Sequence, residues 1–315
     1  MNNPLVSVIT PTFNRRRTIE RVWDSLQVQS YSKFEWIVVD DGSTDDTEKY
    51  IRSIDDSRIV YQKQFENRGQ NFARNRGVEK ASGEYIVFLD SDDEIIPEAL
   101  DVMVRKWEDV GNSEIGVISF RCLDGRTGKI VGYLEEDNLE LGYKDILCEN
   151  KANGEFFSII KNEVFNNNRF PEQLRCFEGL FWTRIAKNWK TLYVDTVLRI
   201  YHKDAHDRIS SIQNVFKSAR DLAFGYRTLY EEHTGVFGEY CEGKLGKYRC
   251  LSALYYAISG DKKNAFDQLK KSFRYKGDIA LKVVLLLLIL LGKRVTRTLF
   301  RARSWMLGKI EQYTR

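Results

Sequence analysis

The stretch Gly83-Glu-Tyr-Ile-Val-Phe-Leu-Asp-Ser-Asp-Asp93 changes character in the middle. Residues 85–89 are apolar, β-branched or aromatic without a break, which suits a strand covered on both faces. The run then empties into Asp90, Asp92 and Asp93, three acids in four positions. Pro97 opens a helical pattern in which Leu100, Met103, Val104 and Trp107 share one face. The local unit is therefore strand, acidic tip, helix.

Outward from this unit the same grammar repeats. Leu5–Thr10, Trp36–Asp40, Arg58–Tyr61 and Ile115–Phe120 are further short apolar runs. Ile19, Val22, Trp23 and Leu26 recur at helical spacing between the first two. Ser43 is the predicted N-cap of the helix after the second, with Asp46 three residues on. Strand–helix alternation predicts a mixed, mostly parallel α/β sheet flanked by helices. Residues 121–215 are less regular and are read as the part that closes over a second substrate. Residues 216–276 are mainly helical, with a turn at Gly260-Asp261.

At 315 residues, 43% hydrophobic and 30% charged, the chain can bury a sizeable core. Its net charge of +4 is too small to argue for nucleic acid, and none of the five cysteines stands in a C-x-x-C zinc pair. The C-terminus is unusual. Ile279–Leu291 is almost wholly apolar, interrupted only by Lys282, but its 13 residues fall short of the ~20 that a membrane-spanning helix needs. Lys293–Leu307 then interleaves Lys and Arg with Val295, Leu299, Phe300, Trp305 and Met306. An apolar helix followed by a basic amphipathic one predicts attachment in the plane of a membrane. The alternative is a core helix packed against its own domain or a partner.

In an open parallel sheet, ligands bind at the carboxyl ends of the strands. Here those ends read Thr10-Pro-Thr-Phe-Asn14, Asp40-Asp-Gly-Ser43 and Asp90-Ser-Asp-Asp93. Acids this dense repel one another unless compensated. A divalent cation held by carboxylate oxygens, Mg²⁺ or Mn²⁺, is the simplest compensation. A solvated loop ahead of the Pro97 helix is the plain alternative.

Val6-Ser-Val-Ile-Thr-Pro-Thr-Phe-Asn14, Val38-Val-Asp-Asp-Gly-Ser-Thr-Asp45, Asn67-Arg-Gly, Ala73-Arg-Asn-Arg-Gly77 and the Gly83–Asp93 stretch, in this order and spacing, closely resemble the family 2 glycosyltransferases of the GT-A fold, of the bacterial surface-polysaccharide type. The resemblance is strong over about residues 4–107, fair to about 210 and weak beyond. It implies a GT-A domain over 1–215, with a nucleotide-sugar half over about 1–110 and an acceptor half over about 111–215. A helical region over 216–278 and membrane-associating helices over 279–315 would follow. The implied activity is inverting transfer of a hexosyl or N-acetylhexosaminyl group from a nucleotide-sugar, by family habit a UDP-sugar, to the hydroxyl of a saccharide, here a lipid-linked one. The implied location is cytoplasmic, peripheral at the inner face of the cell membrane.

The resemblance also implies residue roles. Pro11, Thr12 and Asn14 would line base and ribose. Asp41 would accept a hydrogen bond from the base, with Asp40 either beside it or capping the following helix. Arg74 and Asn75 would work near the donor, and Arg68 would meet phosphate or solvent. Asp90 and Asp92, flanking Ser91, match the D-x-D motif: Asp92 as direct Mn²⁺ or Mg²⁺ ligand, Asp90 holding ribose or metal. His202 or His206 would close on the diphosphate or metal. Relatives place the general base as the Asp of an E-D pair six residues before an Arg. Counting back from Arg184 lands on Glu178, preceded by Phe177, so Glu178 takes the base position and the first acid is missing. That departure leaves room for a non-catalytic nucleotide-sugar-binding or scaffold protein. A sugar-phosphate nucleotidyltransferase is the other alternative, but it would need a glycine-rich loop where Thr10–Arg15 has no glycine.

Overall fold

The computed structural model describes residues 3–111, 113–175, 177–202 and 212–302. The chain divides into two compact units, Met1–His206 and Asp207–Arg315.

The first unit is built on a sheet whose main strands are β1 (Val6–Thr12), β2 (Phe34–Asp40), β3 (Ile59–Lys63), β4 (Tyr85–Phe88), β5 (Glu94–Ile95), β6 (Ile115–Asp124), β7 (Phe156–Lys161) and β8 (Lys190–Tyr201). Their order across the sheet is β3-β2-β1-β4-β7-β6-β8-β5. The β3-β2-β1-β4 half is parallel, whereas β7 runs antiparallel to both β4 and β6. This is the mixed, mostly parallel sheet that the alternation predicts.

Both sheet faces are buried, which is why these strands read as unbroken apolar runs. Alternate residues serve opposite cores. Val6, Val8, Trp36, Val38 and Val87 face one, with α1 (Ile19–Gln27) and α3 (Ala99–Asp109) supplying Trp23, Leu26, Met103 and Trp107. Ile9, Ile37, Val39 and Ile86 face the other, covered by α2 (Gln70–Lys80) and α4 (Gly179–Ile185) through Ala73, Val78, Phe181 and Ile185. Each fully buried side chain of this size stabilises the fold by about 1.5–3 kcal/mol.

Helix α2 sits so close to β1 that Gly77 has no room for a side chain: a Cβ there would collide with Ile9 Cγ2. Gly77→Ala is therefore expected to cost about 1–3 kcal/mol through overpacking, although alanine is the better helix former. Urea unfolding of the two proteins measures it; an unchanged or raised midpoint would refute the close-approach account.

The predicted N-cap at Ser43 is not found. The helix Thr47–Arg52 starts later, behind Asp46. The Ser43 hydroxyl instead accepts the Asn14 backbone N–H at 2.8 Å. A longer-range contact between strand tips has outcompeted the local cap.

In the second unit, helices Ala219–Glu232, Glu242–Ser259, Lys262–Ser272 and Ile279–Leu291 share a small core of Ala223, Ala253, Tyr256, Leu269, Leu285 and Ile289. The Ile279–Leu291 helix contributes only one face to it. Among the described residues no helix is long and apolar enough to cross a membrane.

Candidate active site

The strand order reverses between β1 and β4, and β1 is parallel to both β2 and β4, so Thr12, Asp40 and Phe88 end at one edge of the sheet. That crevice is where a parallel α/β sheet binds ligands.

Asp41 is nearly inaccessible, and its two oxygens accept the backbone N–H groups of Arg68 at 3.0 Å and Gly69 at 2.7 Å. Burial raises its carboxyl above the ordinary range, against the pull of those amides and of the Arg175 guanidinium. Gly42 makes the turn possible at φ +85°, where a Cβ would meet the Glu66 backbone at 3.0 Å. Arg68 thus serves the site through its backbone; its exposed guanidinium lies over the Phe72 ring at 3.8 Å.

Asp40 is fully buried, with one oxygen accepting Ser43 N–H at 2.6 Å and the other the Tyr61 hydroxyl at 2.6 Å. Asp40 thus holds the loop after β2, while the following helix, Thr47–Arg52, has Asp46 as its N-cap. Asn14 holds the same loop. It adopts φ +53° and its side-chain oxygen accepts Thr44 N–H at 2.8 Å, so the amide staples the β1 tip to the β2 tip. Pro11 and Thr12 close the β1 end, and the buried Thr12 hydroxyl has no hydrogen-bond partner among the described residues.

At the tip of β4, two buried arginines meet the acids. Arg74 Nη2 lies 3.2 Å from Asp90 Oδ1, and its Nη1 contacts Glu178 Oε1. Arg199, 4% exposed on β8, has Nη1 3.8 Å from Asp90 Oδ2, Nε 3.6 Å from Asp93 Oδ2 and Nη2 3.2 Å from Glu155 Oε2. Burial works against its charge, but Cys122, Asp93, Asp90 and Glu155 outweigh that and raise its pKa. Asp93 is fully buried; burial pushes its carboxyl up to about 8, with Arg199 opposing and Asp90 and Asp92 adding to the shift. The Asp92 carbonyl accepts from Arg21 Nη1 at 2.6 Å. Ser91 is buried between the two D-x-D acids.

The acids suit a hard cation. Asp90 and Asp92 offer carboxylate oxygens, and Asp93 Oδ2 is buried without a hydrogen-bond partner among the described residues. No cage of three or more His, Cys, Asp or Glu is formed among the described residues. An open site with one or two carboxylates is the arrangement Mg²⁺ uses when substrate phosphates and water complete its shell.

His202 is held at the end of β8 by two acids. Its backbone N–H donates to Asp93 Oδ1 at 2.8 Å, and its ring Nε2 is 2.9 Å from Glu94 Oε1. The pairing of β8 with β5 puts the imidazole beside Glu94. His206 lies outside the described residues. Asn75 also has its amide engaged within the protein. Its amide donates to the Phe170 carbonyl at 3.0 Å and accepts the Phe170 N–H at 2.9 Å, clamping the loop that leads to Glu178.

Glu178 stands at the N-terminus of α4, partly exposed. It lines a cavity of 330 Å³ together with Arg74, Asp90, Trp182, Tyr193 and Arg199. Phe181 is core, stacked 3.8 Å from Phe170, whereas Trp182 on the same helix faces the cavity. Arg184 lines a separate pocket with Asn75 and Arg76. Arg199 and Glu155 escaped the sequence reading. The available signal was the lone cation in Val197-Leu-Arg-Ile-Tyr201, a charge inside a strand-like run.

Residues 7–209 match the model of the family described as Glycosyl transferase family 2. The GalNAc(5)-diNAcBac-PP-undecaprenol β-1,3-glucosyltransferase of Campylobacter jejuni is 31% identical over 299 residues, 91% of this chain and 94% of the relative. The putative teichuronic acid biosynthesis glycosyltransferase TuaG of Bacillus subtilis is 31% identical, over 78% of this chain and 97% of the relative. Among solved structures, S. aureus TarS 1-349 in complex with UDP-GlcNAc aligns with a TM-score of 0.58 at 21% identity, covering 85% of this chain and 89% of that one. The mannosyltransferase PcManGT of Pyrobaculum calidifontis, in complex with GDP-Man and Mn²⁺, aligns with a TM-score of 0.56 at 20% identity, over 98% and 86% of the two chains. At such identities the structural likenesses bear on the fold alone.

Proposed function

The chain belongs to glycosyl transferase family 2, and we propose that it transfers a sugar from a UDP-sugar to a hydroxyl of a lipid-linked saccharide, with inversion and with Glu178 as base. One observation carries this reading. Arg74 touches Asp90 of the D-x-D and Glu178 at once, so donor acids and candidate base face one cavity.

The acceptor hydroxyl attacks the anomeric carbon from the side of Glu178. As the new C–O bond forms, its proton passes to the Glu178 carboxylate. The bond to the phosphate oxygen breaks, and its electron pair leaves with the nucleoside diphosphate. A base must come within about 2.6–3.2 Å of that hydroxyl in the reacting complex. Arg74 holds Glu178, and with Arg199 it keeps positive charge beside the departing phosphates. Mn²⁺ or Mg²⁺, held by Asp92 with Asp90, would supply further fixed charge where the leaving group gains it. Asp41 presents a carboxylate for a base N–H, and Trp182 offers a ring face to a sugar.

The acceptor class follows from the undecaprenol-linked saccharide named for the C. jejuni relative. A membrane face as partner fits the second unit, where Val283, Val284, Leu287, Leu290 and Leu291 are exposed. Hexosyl and N-acetylhexosaminyl donors are both compatible with the residues present.

Thermal unfolding with a panel of nucleotide-sugars, with and without Mn²⁺, tests the donor half. A ligand at 100 times its Kd should add about 2.7 kcal/mol to the folded state. The stabilisation should need one nucleotide-sugar and the metal together, and Asp92→Asn should abolish the metal-dependent part. A nucleotide-sugar shift of the same size without metal, or in Asp92→Asn, would contradict the metal assignment. No shift with any donor would contradict the donor site itself.

A further inference from the structure

The second unit carries a cationic pocket that the transfer reaction does not use. It has a volume of 430 Å³ and is lined by Lys217, Arg220, Lys293 and Arg297, with Asp261 as its one acid. None of the four cations is paired with a carboxylate among the described residues. Asp261 does not neutralise them by direct contact: its oxygens accept Asn264 N–H at 3.1 Å and the Asn264 amide at 2.7 Å. Arg297 is pre-set, donating to the carbonyls of Ile258 at 2.9 Å and Phe216 at 3.2 Å. Four positive charges gathered from three helical segments and left uncompensated are a site for an anion.

The surroundings say which anion. Lys293 directly follows Gly292, which ends the Ile279–Leu291 helix, so the pocket stands at one end of that helix. Lys282, Leu285 and Ile289 are turned into the core. Val283, Val284, Leu287, Leu290 and Leu291 recur at helical spacing and are 47–61% exposed. On the next helical stretch Val295 and Leu299 are exposed as well. An apolar strip bordered by unpaired cations is complementary to the two layers of an anionic bilayer surface, acyl chains and phosphates.

We propose that Lys217, Arg220, Lys293 and Arg297 form a phosphate pocket for anionic lipid headgroups, with the Val283–Leu291 stripe seated in the acyl boundary beside it. This rests on the membrane-face reading above and gives it a headgroup site. The pocket belongs to the second unit, so its loss leaves donor binding untouched.

The test is co-sedimentation of the full-length protein with vesicles of phosphatidylcholine, alone or with phosphatidylglycerol. Wild type should bind the phosphatidylglycerol vesicles strongly and the neutral ones weakly. Each cation near an anionic surface is worth roughly fivefold in binding, so Lys217→Ala/Arg220→Ala/Lys293→Ala should bind about 100-fold more weakly. Its nucleotide-sugar thermal shift should match wild type, which shows that it has folded. If that variant binds as wild type while Leu287→Glu/Leu291→Glu does not, the pocket is wrong and the membrane reading stands. Failure of wild type to bind either vesicle sinks both. Capture only by neutral vesicles doped with a polyprenyl diphosphate, or binding of inorganic phosphate without vesicle binding, also overturns the headgroup assignment.

Discussion

Glu178→Gln is expected to lower kcat for sugar transfer by about 10²–10⁴-fold while leaving donor binding intact. The amide keeps the shape of the carboxylate and an oxygen for Arg74, so the Asp90–Arg74–Glu178 chain of contacts stays assembled. What is lost is the ability to take a proton. Steady-state transfer to a saccharide acceptor, set beside nucleotide-sugar binding by calorimetry, separates the two. Full turnover in Glu178→Gln would remove the base assignment. A wild type that binds donor but turns over none of a broad acceptor panel would favour the scaffold reading, toward which the missing first acid at Phe177 points.

Arg199→Leu is expected to destabilise the first unit by up to about 3–5 kcal/mol once the pH is high enough to ionise Asp93, whose carboxyl burial already pushes up to about 8, and by less at neutral pH. Asp93 has zero exposure and Arg199 is the cation beside it, 3.6 Å from its Oδ2. Leucine fills much of the space but leaves Asp93 and Asp90 without that cation, so Asp93 either takes up a proton or repels Asp90. Arg199→Lys should cost less, because it keeps the charge and loses only the fork that spans Asp90, Asp93 and Glu155. The informative variant is Arg199→Leu/Asp93→Asn, which removes the stranded acid along with the arginine. It should recover part of the loss, a coupling that chemical unfolding measures through a double-mutant cycle. Additive losses would mean that the two residues stabilise the fold separately.

Much of the first unit was legible in the order of its residues. The run over Tyr85–Leu89 reads as a doubly covered strand because both its faces are in fact buried, and the helical spacing of Ile19, Val22, Trp23 and Leu26 places the packed face of α1. The acids at 40–41 and 90–93 were visible as strand-end residues, and the parallel order β2-β1-β4 brings those ends to one edge. The short-range cap expected at Ser43 is absent because its hydroxyl accepts from Asn14, two residues past the end of β1.

Polar side chains were harder. Asn14 and Asn75 stand in motifs that resemble donor-binding ones, yet their amides hold the Thr44 loop and the Phe170 loop. His202 has Glu94 against its ring for the same reason, a neighbour supplied by another strand. In the second unit, helical spacing alone could not say which side of Ile279–Leu291 is core, because almost every residue is apolar. The packing of Leu285 and Ile289 onto Tyr256 and Leu269 decides it.

Sequence by itself determined where the strands end and that those ends carry acids, because strand burial and tip chemistry follow from residues adjacent in the chain. Only the tertiary structure decided which acids are held by Arg74 and Arg199, and which amides are spent on loops. Those partners come from α2, β8 and α4, segments far apart in the chain. A hydrogen bond or ion pair forms with whatever the sheet register and helix packing bring within about 3 Å.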